Sequence, residues 1–271
     1  GYGSDLTTCT ISVDRRMLDW ILGLETEIGE LVEGGSCYSP EVKLDQVVLL
    51  DETKSLLLET LCDYDAFLGM QKRAGLRTLM PTGRGLVVLF HGEPGTGKTM
   101  CANAIANHLN KKILSVDLPH FSRDLSSESF RMLFHEAKLQ NAVIFLDECE
   151  PLFESRDRKS GGQVNVALTA LDSFEGIMFL ATNRPFDLDE AMMRRITLSV
   201  EFAFPNASQR ALIWRAHVPA SESVMVSDEV DWGEIAREFE LNGGYVKNAM
   251  LQAFKFAASR ELRKRRERER G

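Results

Sequence analysis

The chain has 271 residues, 44% of them hydrophobic, and a formal net charge of −8 at pH 7. This length allows a sizeable buried core, in one large domain or in a domain with an appendage. The acidic balance argues against a protein whose main task is to wrap nucleic acid, and no apolar run approaches the ~20 residues of a membrane-spanning helix.

Residues 1–40 are predicted to form an N-terminal extension. Between Arg15 and Leu31 apolar residues recur near the spacing of a helix, and Gly34 and Gly35 then interrupt the pattern. The chain begins with Gly1 rather than Met, which is typical of a fragment or a processed form. No motif in these residues indicates a role.

Apolar strand patterns alternate with amphipathic helical patterns from about Pro40 to Pro205. This alternation is typical of parallel strands joined by helical crossovers, an α/β fold that binds its ligands at the carboxyl ends of the strands. The predicted strands are Leu86–Phe90, Lys112–Val116, Ala142–Leu146, Ile177–Ala181 and Leu198–Phe202.

A glycine-rich segment, residues 92–99, follows the first of these strands and matches G-x-x-x-x-G-K-[ST]. In this phosphate loop, backbone N–H groups surround the β-phosphate at the positive end of the next helix. Lys98 is expected to reach the β- and γ-phosphates, and the Thr99 hydroxyl to ligate Mg²⁺. The predicted phosphate-binding residues are Gly92, Glu93, Pro94, Gly95, Thr96, Gly97, Lys98, Thr99 and the next helical residue, Met100. The chain is therefore predicted to bind a nucleoside triphosphate.

Polar residues also end two later strands. Asp147 and Glu148 follow the strand Ala142–Leu146. Asp147 is expected to hold Mg²⁺ through its water shell, and Glu148 to orient and polarise the water that attacks the γ-phosphate. Asn183 follows the strand Ile177–Ala181 and is placed to hydrogen-bond that water or the γ-phosphate, although asparagine is also common in turns.

A short capped helix is predicted next, and it ends in Arg194 and Arg195. After Pro205 the strand patterns stop and helical patterns predict a small second domain, with helices at Gln209–His217, Trp232–Glu240 and Tyr245–Leu262. The arginine-rich tail interleaves its cations with glutamates, which is typical of a solvated helix end; an anionic partner is the alternative.

The order of these motifs resembles the AAA family of ATPases, within the larger AAA+ group, from about Asp45 to Lys255. The resemblance implies a five-stranded parallel sheet of order 5-1-4-3-2 and a C-terminal helical lid. It therefore divides the chain into the extension (1–40), a large α/β ATPase domain (41–205) and a lid (206–271). It also implies ATP and Mg²⁺ as ligands, and assembly into a ring, most often a hexamer.

Several residues match positions with known roles in that family. Asn183 matches the first sensor, and Arg194 and Arg195 match the arginine fingers that reach the γ-phosphate held by a neighbouring subunit. An arginine supplied in trans neutralises charge on the transferred phosphoryl group and makes hydrolysis depend on assembly. The alternative is that the two cations close the C-terminus of their helix, and the two residues can divide these roles.

Other matches concern the base and the contact between subunits. Residues 172–174, Asp-Ser-Phe, lie near the place of the inter-subunit signalling segment Asp-Gly-Phe. Gly243 and Gly244 resemble the small residues that pack beside adenine and ribose. The segment that covers adenine from the N-terminal side is matched by Asp45, Gln46, Val47 and Val48.

One family pattern is not met. Members that thread polypeptide through a pore usually carry an aromatic residue closely followed by glycine after the second strand, whereas residues 117–128 contain Phe121 as the only aromatic and no glycine. We expect a ring ATPase that remodels or unfolds a protein substrate or complex. A non-threading, ATP-dependent assembly switch is the alternative, and a nucleic-acid motor or clamp loader is less favoured.

Expected partners are other ring subunits, identical or different, and a protein substrate, with no nucleic acid and no transmembrane segment. The five cysteines are scattered and form no C-x-x-C pair, so neither a disulfide framework nor a zinc site is indicated. This usage predicts a soluble protein of a reducing compartment, either cytoplasm or organelle matrix.

Overall fold

The structure is a computed structural model that describes residues 22, 35–74, 85–117, 126–150, 161–184, 190–219, 226–227 and 229–270. Phe121 lies outside these residues, as does the helical pattern between Arg15 and Leu31 except for Leu22. No helix in the described ranges is both long enough and apolar enough to cross a membrane.

A mixed sheet of six strands forms the centre of the described part of the chain. In chain order the strands are β1 (Gly35–Tyr38), β2 (Leu86–Gly92), β3 (Lys112–Asp117), β4 (Ala142–Asp147), β5 (Ile177–Thr182) and β6 (Leu198–Phe202). They lie in the order β1-β3-β4-β5-β2-β6, with β1 antiparallel to β3 and the other neighbouring pairs parallel.

The predicted five-stranded, all-parallel sheet is wrong in strand count, and its full order differs, because an additional antiparallel strand lies at one edge; the five predicted strands keep the relative order 5-1-4-3-2. This strand, β1, has four residues and begins at Gly35, where the sequence pattern indicates a break. So short a strand carries too little periodicity to detect, and its pairing partner β3 is distant in the chain. The five predicted strands are all present, β6 with the predicted bounds and the others one or two residues longer.

Helices connect and flank the strands. In chain order they are α1 (Asp51–Cys62), α2 (Tyr64–Arg73), α3 (Lys98–His108), α4 (Ser127–Leu139), α5 (Gly161–Ser173), α6 (Glu190–Met193), α7 (Ala207–Ala216), α8 (Trp232–Glu238) and α9 (Gly243–Arg270). A short 3-10 helix, Leu44–Gln46, precedes α1. Ser126 caps α4 and Asn206 caps α7, each by accepting a hydrogen bond from a backbone N–H of the first turn.

Both faces of the sheet are buried, and successive residues of a strand alternate between two cores. Val87 and Leu89 of β2 pack in the core that includes α4 and α5. Val88 and Phe90 pack in the core that includes α1 and α3, where Phe90 stacks on Phe179 with 5.2 Å between the ring centroids. Continuous apolar strands of this kind are typical of a parallel sheet covered on both sides, which explains why the strand pattern was readable.

The helices after Pro205 have a core of their own. It contains Trp214 from α7, Ala236 from α8, and Val246 and Met250 from α9. Within the described residues this part of the chain has no strand, as the sequence pattern predicts.

The register of the parallel strands decides where the site lies. His91 of β2 is opposite Thr182 of β5, and Leu146 of β4 is opposite Leu180 of β5. The carboxyl ends of β2, β4 and β5 therefore lie along one edge of the sheet, and the residues that follow these strands come together there.

Candidate functional site

The phosphate loop leaves β2 and leads directly into α3. Three of its glycines have positive φ: 140° at Gly92, 77° at Gly95 and 108° at Gly97. A Cβ atom on Gly92 would lie 2.2 Å from the carbonyl oxygen of Phe202 in β6. Glycine is needed at this position both for backbone conformation and for space.

Lys98, the first residue of α3, is buried with 7% of its surface exposed. Its ammonium group donates hydrogen bonds to the carbonyl oxygens of Gly92 (2.7 Å) and Glu93 (2.9 Å) and to Oδ1 of Asn183 (2.9 Å). An ammonium group has three N–H donors, so the protein itself uses all of them. A phosphate oxygen can bind Lys98 here only by replacing one of these acceptors.

Two carboxylates lie near this ammonium group: Asp147, the last residue of β4, and Glu150, three residues later. Burial raises the pKa of Asp147, although its Oδ1 accepts a hydrogen bond from the Glu148 N–H (3.0 Å) and the Lys98 cation lies close by. Burial also lowers the pKa of Lys98, and the Asp147 carboxylate opposes this shift. Glu148 is exposed and has φ of 49°, in the left-handed region that residues with a Cβ seldom adopt.

Asn183 is the first residue after β5, and a carboxylate not identified from the sequence holds it. Oε1 of Glu150 accepts hydrogen bonds from the Asn183 N–H (2.8 Å) and from the hydroxyl of Thr182 (2.9 Å). Glu150 is the third acid of the run Asp-Glu-Cys-Glu, residues 147–150. This third carboxylate is visible in the sequence and could have indicated a further site residue. The sequence does not show, however, that it would accept hydrogen bonds from the end of β5.

Arg194 and Arg195 directly follow α6 and have different partners. Arg194 bonds Oε1 of Glu190 one helical turn earlier (2.6 Å), and the two side chains are 75% and 82% exposed. Arg195 bonds both carboxylate oxygens of Asp172, Nε to Oδ1 at 2.8 Å and Nη2 to Oδ2 at 2.6 Å, and also the carbonyl oxygen of Ala191 (2.7 Å). Arg195 is thus held against α5, whereas Arg194 lies at the surface.

The start of α9 lies against the phosphate loop, so two parts of the predicted nucleotide site are in contact. The Gly244 N–H donates to the carbonyl oxygen of Gly95 (3.0 Å). Nδ2 of Asn242 donates to the carbonyl oxygen of Pro94 (2.9 Å). A Cβ atom on Gly243 would lie 3.2 Å from the Gly95 carbonyl oxygen. Small residues at the start of α9 therefore allow its close approach to the loop.

The segment expected to cover adenine packs beside α3. Asp45 and Gln46 belong to the 3-10 helix and are exposed, whereas Val47 is 6% exposed and belongs to the core that includes α3. Val48 is half-buried. At the start of α3, Thr99 is exposed and Met100 is half-buried.

The structure thus brings together Lys98 at the start of α3, Asp147 at the end of β4 and Asn183 directly after β5. The individual roles assigned to these residues, and to Thr99 and Glu148, stay predictions. Glu150 and the contact of Asn242 with the loop are the site features that sequence reasoning missed.

The sequence of this chain is similar to those of known proteins. Residues 88–205 match the profile of a family described as "ATPase family associated with various cellular activities (AAA)". The 26S proteasome regulatory subunit 7 homolog of Schizosaccharomyces pombe is 36% identical over 168 residues, which are 55% of this chain and 37% of that protein.

Two further relatives cover more of this chain. Proteasome-activating nucleotidase 1 of Halobacterium salinarum is 31% identical over 237 residues, 81% of this chain and 56% of that protein. The ATP-dependent zinc metalloprotease FtsH of Mesoplasma florum is 31% identical over 229 residues, 79% of this chain and 34% of that protein. The chain spans 34% to 56% of the length of these three relatives.

Proposed function

The chain belongs to the AAA family of ATPases, and from this premise we propose that it binds ATP with Mg²⁺ and hydrolyses it between the subunits of a ring. The observation that carries the proposal is the meeting of Lys98, Asp147 and Asn183 at one edge of the sheet, beside the phosphate loop. This edge holds the carboxyl ends of parallel strands, where ligands of α/β proteins bind.

The residues present fit a magnesium ion bound together with phosphates. Mg²⁺ prefers oxygen ligands, and such sites usually combine one or two protein oxygens with waters and substrate phosphates. The Thr99 hydroxyl and the Asp147 carboxylate offer such oxygens, and the described residues include no group of three His, Cys, Asp or Glu side chains that would hold a metal alone. When bound, the ion neutralises charge on the phosphates.

Lys98 and Asn183 would respond together to the nucleotide. Because an ammonium group only donates, the amide oxygen of Asn183 must face it, which directs the NH₂ group of Asn183 to other acceptors. A phosphate oxygen that took the place of Asn183 at Lys98 would free the amide to bond the γ-phosphate or the attacking water. Such an exchange would make Asn183 a sensor of the γ-phosphate.

Glu148 would orient and polarise the attacking water. Its exposed carboxylate follows the buried end of β4, and its left-handed backbone makes it the turning point after Asp147. A residue held in this uncommon conformation has a constrained side-chain direction, which suits a group that must meet a water in line with the γ-phosphate.

We assign different tasks to the two arginines. Arg194 lies at the surface with a weak helical partner, so a neighbouring subunit's phosphate can recruit it at little cost. Arg195 is bound at three points and would hold the turn after α6 in place. Its partner Asp172 begins the segment that resembles the inter-subunit signal, which places α5 and the arginine turn in direct contact.

We further propose that residues 41–205 form the large ATPase domain, to which β1 adds a strand from the preceding residues, and that residues 206–271 form a helical lid. The separate core of α7, α8 and α9 supports this division. The hydrogen bonds from Gly244 and Asn242 to the phosphate loop support an adenine site between the two parts, with Gly243, Gly244 and residues 45–48 around the base.

The substrate is proposed to be a protein. Two of the relatives are named for the proteasome and one as an ATP-dependent metalloprotease. A ring that remodels or unfolds polypeptide fits these names. Green fluorescent protein with an unstructured tail is a suitable probe: ATP-dependent loss of its fluorescence is expected, and ATP-dependent binding without that loss would favour an assembly switch instead.

The central test is ATP turnover per subunit as a function of protein concentration, with particle mass followed by light scattering. Turnover per subunit should fall as the assembly dissociates, because each site needs a neighbour. Turnover that stays flat through dissociation would remove the shared site. Glu148→Gln should bind ATP as well as the wild type, hydrolyse it far more slowly and keep the assembly together.

A further inference from the structure

The segment after β4 bends toward β5 and is bonded to its end. The Cys149 N–H donates to the carbonyl oxygen of Ala181 (2.9 Å). Oε1 of Glu150 then accepts from the Thr182 hydroxyl (2.9 Å) and from the Asn183 N–H (2.8 Å). Together these bonds join the strand end that carries the predicted catalytic carboxylate to the strand end that carries the predicted sensor.

Glu150 supplies an acceptor that the sheet does not. β5 ends at Thr182, so the N–H of Asn183 lies beyond the regular ladder of the sheet, and Glu150 supplies its acceptor. A carboxylate only accepts, so both donors point toward it. The Thr182 hydroxyl in turn accepts the Arg184 N–H (3.0 Å), and Thr182 is 1% exposed. The backbone around Asn183 is therefore fixed by a continuous chain of hydrogen bonds.

We propose that Glu150 is a positioning residue for ATP hydrolysis, one that sets Asn183 against the Lys98 ammonium group. This inference rests on the proposed function, because Asn183 has a sensing task only if a triphosphate is cleaved beside it. Glu150 acts through Asn183, whose Oδ1 lies 2.9 Å from Nζ of Lys98. Without Glu150 the phosphate loop still binds nucleotide, but the Asn183 amide loses its fixed place.

The test is a double-mutant cycle between Glu150→Ala and Asn183→Ala, with kcat and KM for ATP measured for all four proteins. Glu150→Ala alone should lower kcat by about 10- to 100-fold, the usual cost of misplacing a group that must be aligned with the reaction. In the Asn183→Ala background the same change should alter kcat by less than about two-fold, because its target is gone. Equal losses in both backgrounds would overturn the proposal.

The affinity for nucleotide distinguishes a positioning role of Glu150 from a purely structural one. The affinity for a fluorescent ADP analogue should change by less than about two-fold in Glu150→Ala, because ADP lacks the phosphate that Asn183 senses. A loss of ADP affinity as large as the loss of kcat would mean that Glu150 supports the whole loop and not Asn183.

Two more variants keep the test decisive. Glu150→Gln retains an acceptor oxygen and should recover most of the turnover lost in Glu150→Ala; a Gln variant as slow as Ala would refute the hydrogen-bond argument. Glu150→Met keeps the length of the side chain and offers only a weakly accepting sulfur in place of the carboxylate oxygens. It replaces Glu150→Ala in the cycle if the latter does not unfold cooperatively. Glu59→Gln, on the exposed face of α1, controls for the loss of one negative charge.

The failure of this inference is distinguishable from the failure of the proposed function. Wild-type protein without ATP turnover would overturn both. Wild-type turnover together with an additive cycle would overturn the role of Glu150 alone.

Discussion

The two arginines after α6 make the sharpest prediction, because the structure gives neighbouring residues of the same type opposite environments. We expect Arg194→Ala to abolish ATP turnover and leave stability nearly unchanged. We expect Arg195→Ala to lower the free energy of unfolding. The pair serves as its own control, since both changes remove one guanidinium group from the same turn.

The magnitudes follow from exposure and geometry. The Arg194–Glu190 pair is 75% and 82% exposed and lies one turn apart, so its loss should cost about 0.3–0.5 kcal/mol. The Arg195–Asp172 pair is 27% and 33% exposed and bidentate, with a third bond to a backbone carbonyl oxygen. Removing this pair should lower the free energy of unfolding by about 2 kcal/mol, a value between those for exposed and for fully buried ion pairs. Urea titration in the absence of nucleotide resolves this difference.

For ATP turnover the order is reversed: the change at Arg194, which hardly affects stability, should have the larger effect. An arginine supplied in trans accounts for about 10³–10⁵ in rate, so Arg194→Ala should lower kcat by at least about 10³-fold. Mixing provides the decisive assay: Arg194→Ala subunits have an intact pocket, whereas Glu148→Gln subunits have an intact surface arginine. Mixed rings should recover turnover that neither variant has alone.

Two results would refute the reasoning. If Arg194→Ala loses turnover but mixing restores none, the residue acts within its own subunit or not on the phosphate. If Arg195→Ala is as stable as the wild type and has lost turnover, the bidentate contact with Asp172 does not describe the working protein and the two roles are exchanged.

Three further outcomes are expected from unfolding titrations. Gly92→Ala should destabilise the fold by more than Gly97→Ala. Both changes force a side chain into positive φ, at about 1–2 kcal/mol, but only the Cβ atom at position 92 would also clash with a backbone oxygen, that of Phe202. Equal losses of stability would exclude the steric contribution. Asn242→Ala should lower the free energy of unfolding by about 1 kcal/mol, because it removes the cap of α9. Asn242→Asp keeps the accepting oxygen and should lose less stability. An Asp variant as unstable as the Ala variant would assign the effect to the bond with the phosphate loop. Burial lowers the pKa of His91 below 6.5, so the unfolded chain takes up the proton first and stability falls as the pH drops from 6.5 toward the lowered value. His91→Gln should therefore lose less stability than the wild type between about pH 7.5 and about pH 5.5, and identical losses would contradict the shift.

Local pattern was sufficient for much of the fold and for the residue types at the candidate site. The five apolar strands, the phosphate loop and the acids after β4 were all recognisable, because each depends on residues that are neighbours in the chain. A buried parallel strand must be apolar throughout, and a loop around a phosphate needs glycine at positions of positive φ such as Gly95 and Gly97. These requirements act within about ten residues, so a single sequence reveals them.

Only the tertiary structure decided which distant residues meet. Asp172 and Arg195 are 23 positions apart, Glu150 and Asn183 are 33 apart, and the loop residue Pro94 lies 148 positions from its partner Asn242, which caps α9. The pairing of β1 with β3 at the edge of the sheet likewise joins residues that are distant in the chain. The geometry of such contacts depends on strand register and helix packing, which no local periodicity encodes. The sequence by itself therefore determined which chemical groups the candidate site contains, and the packing of the sheet and helices decided which of them are held and which are exposed.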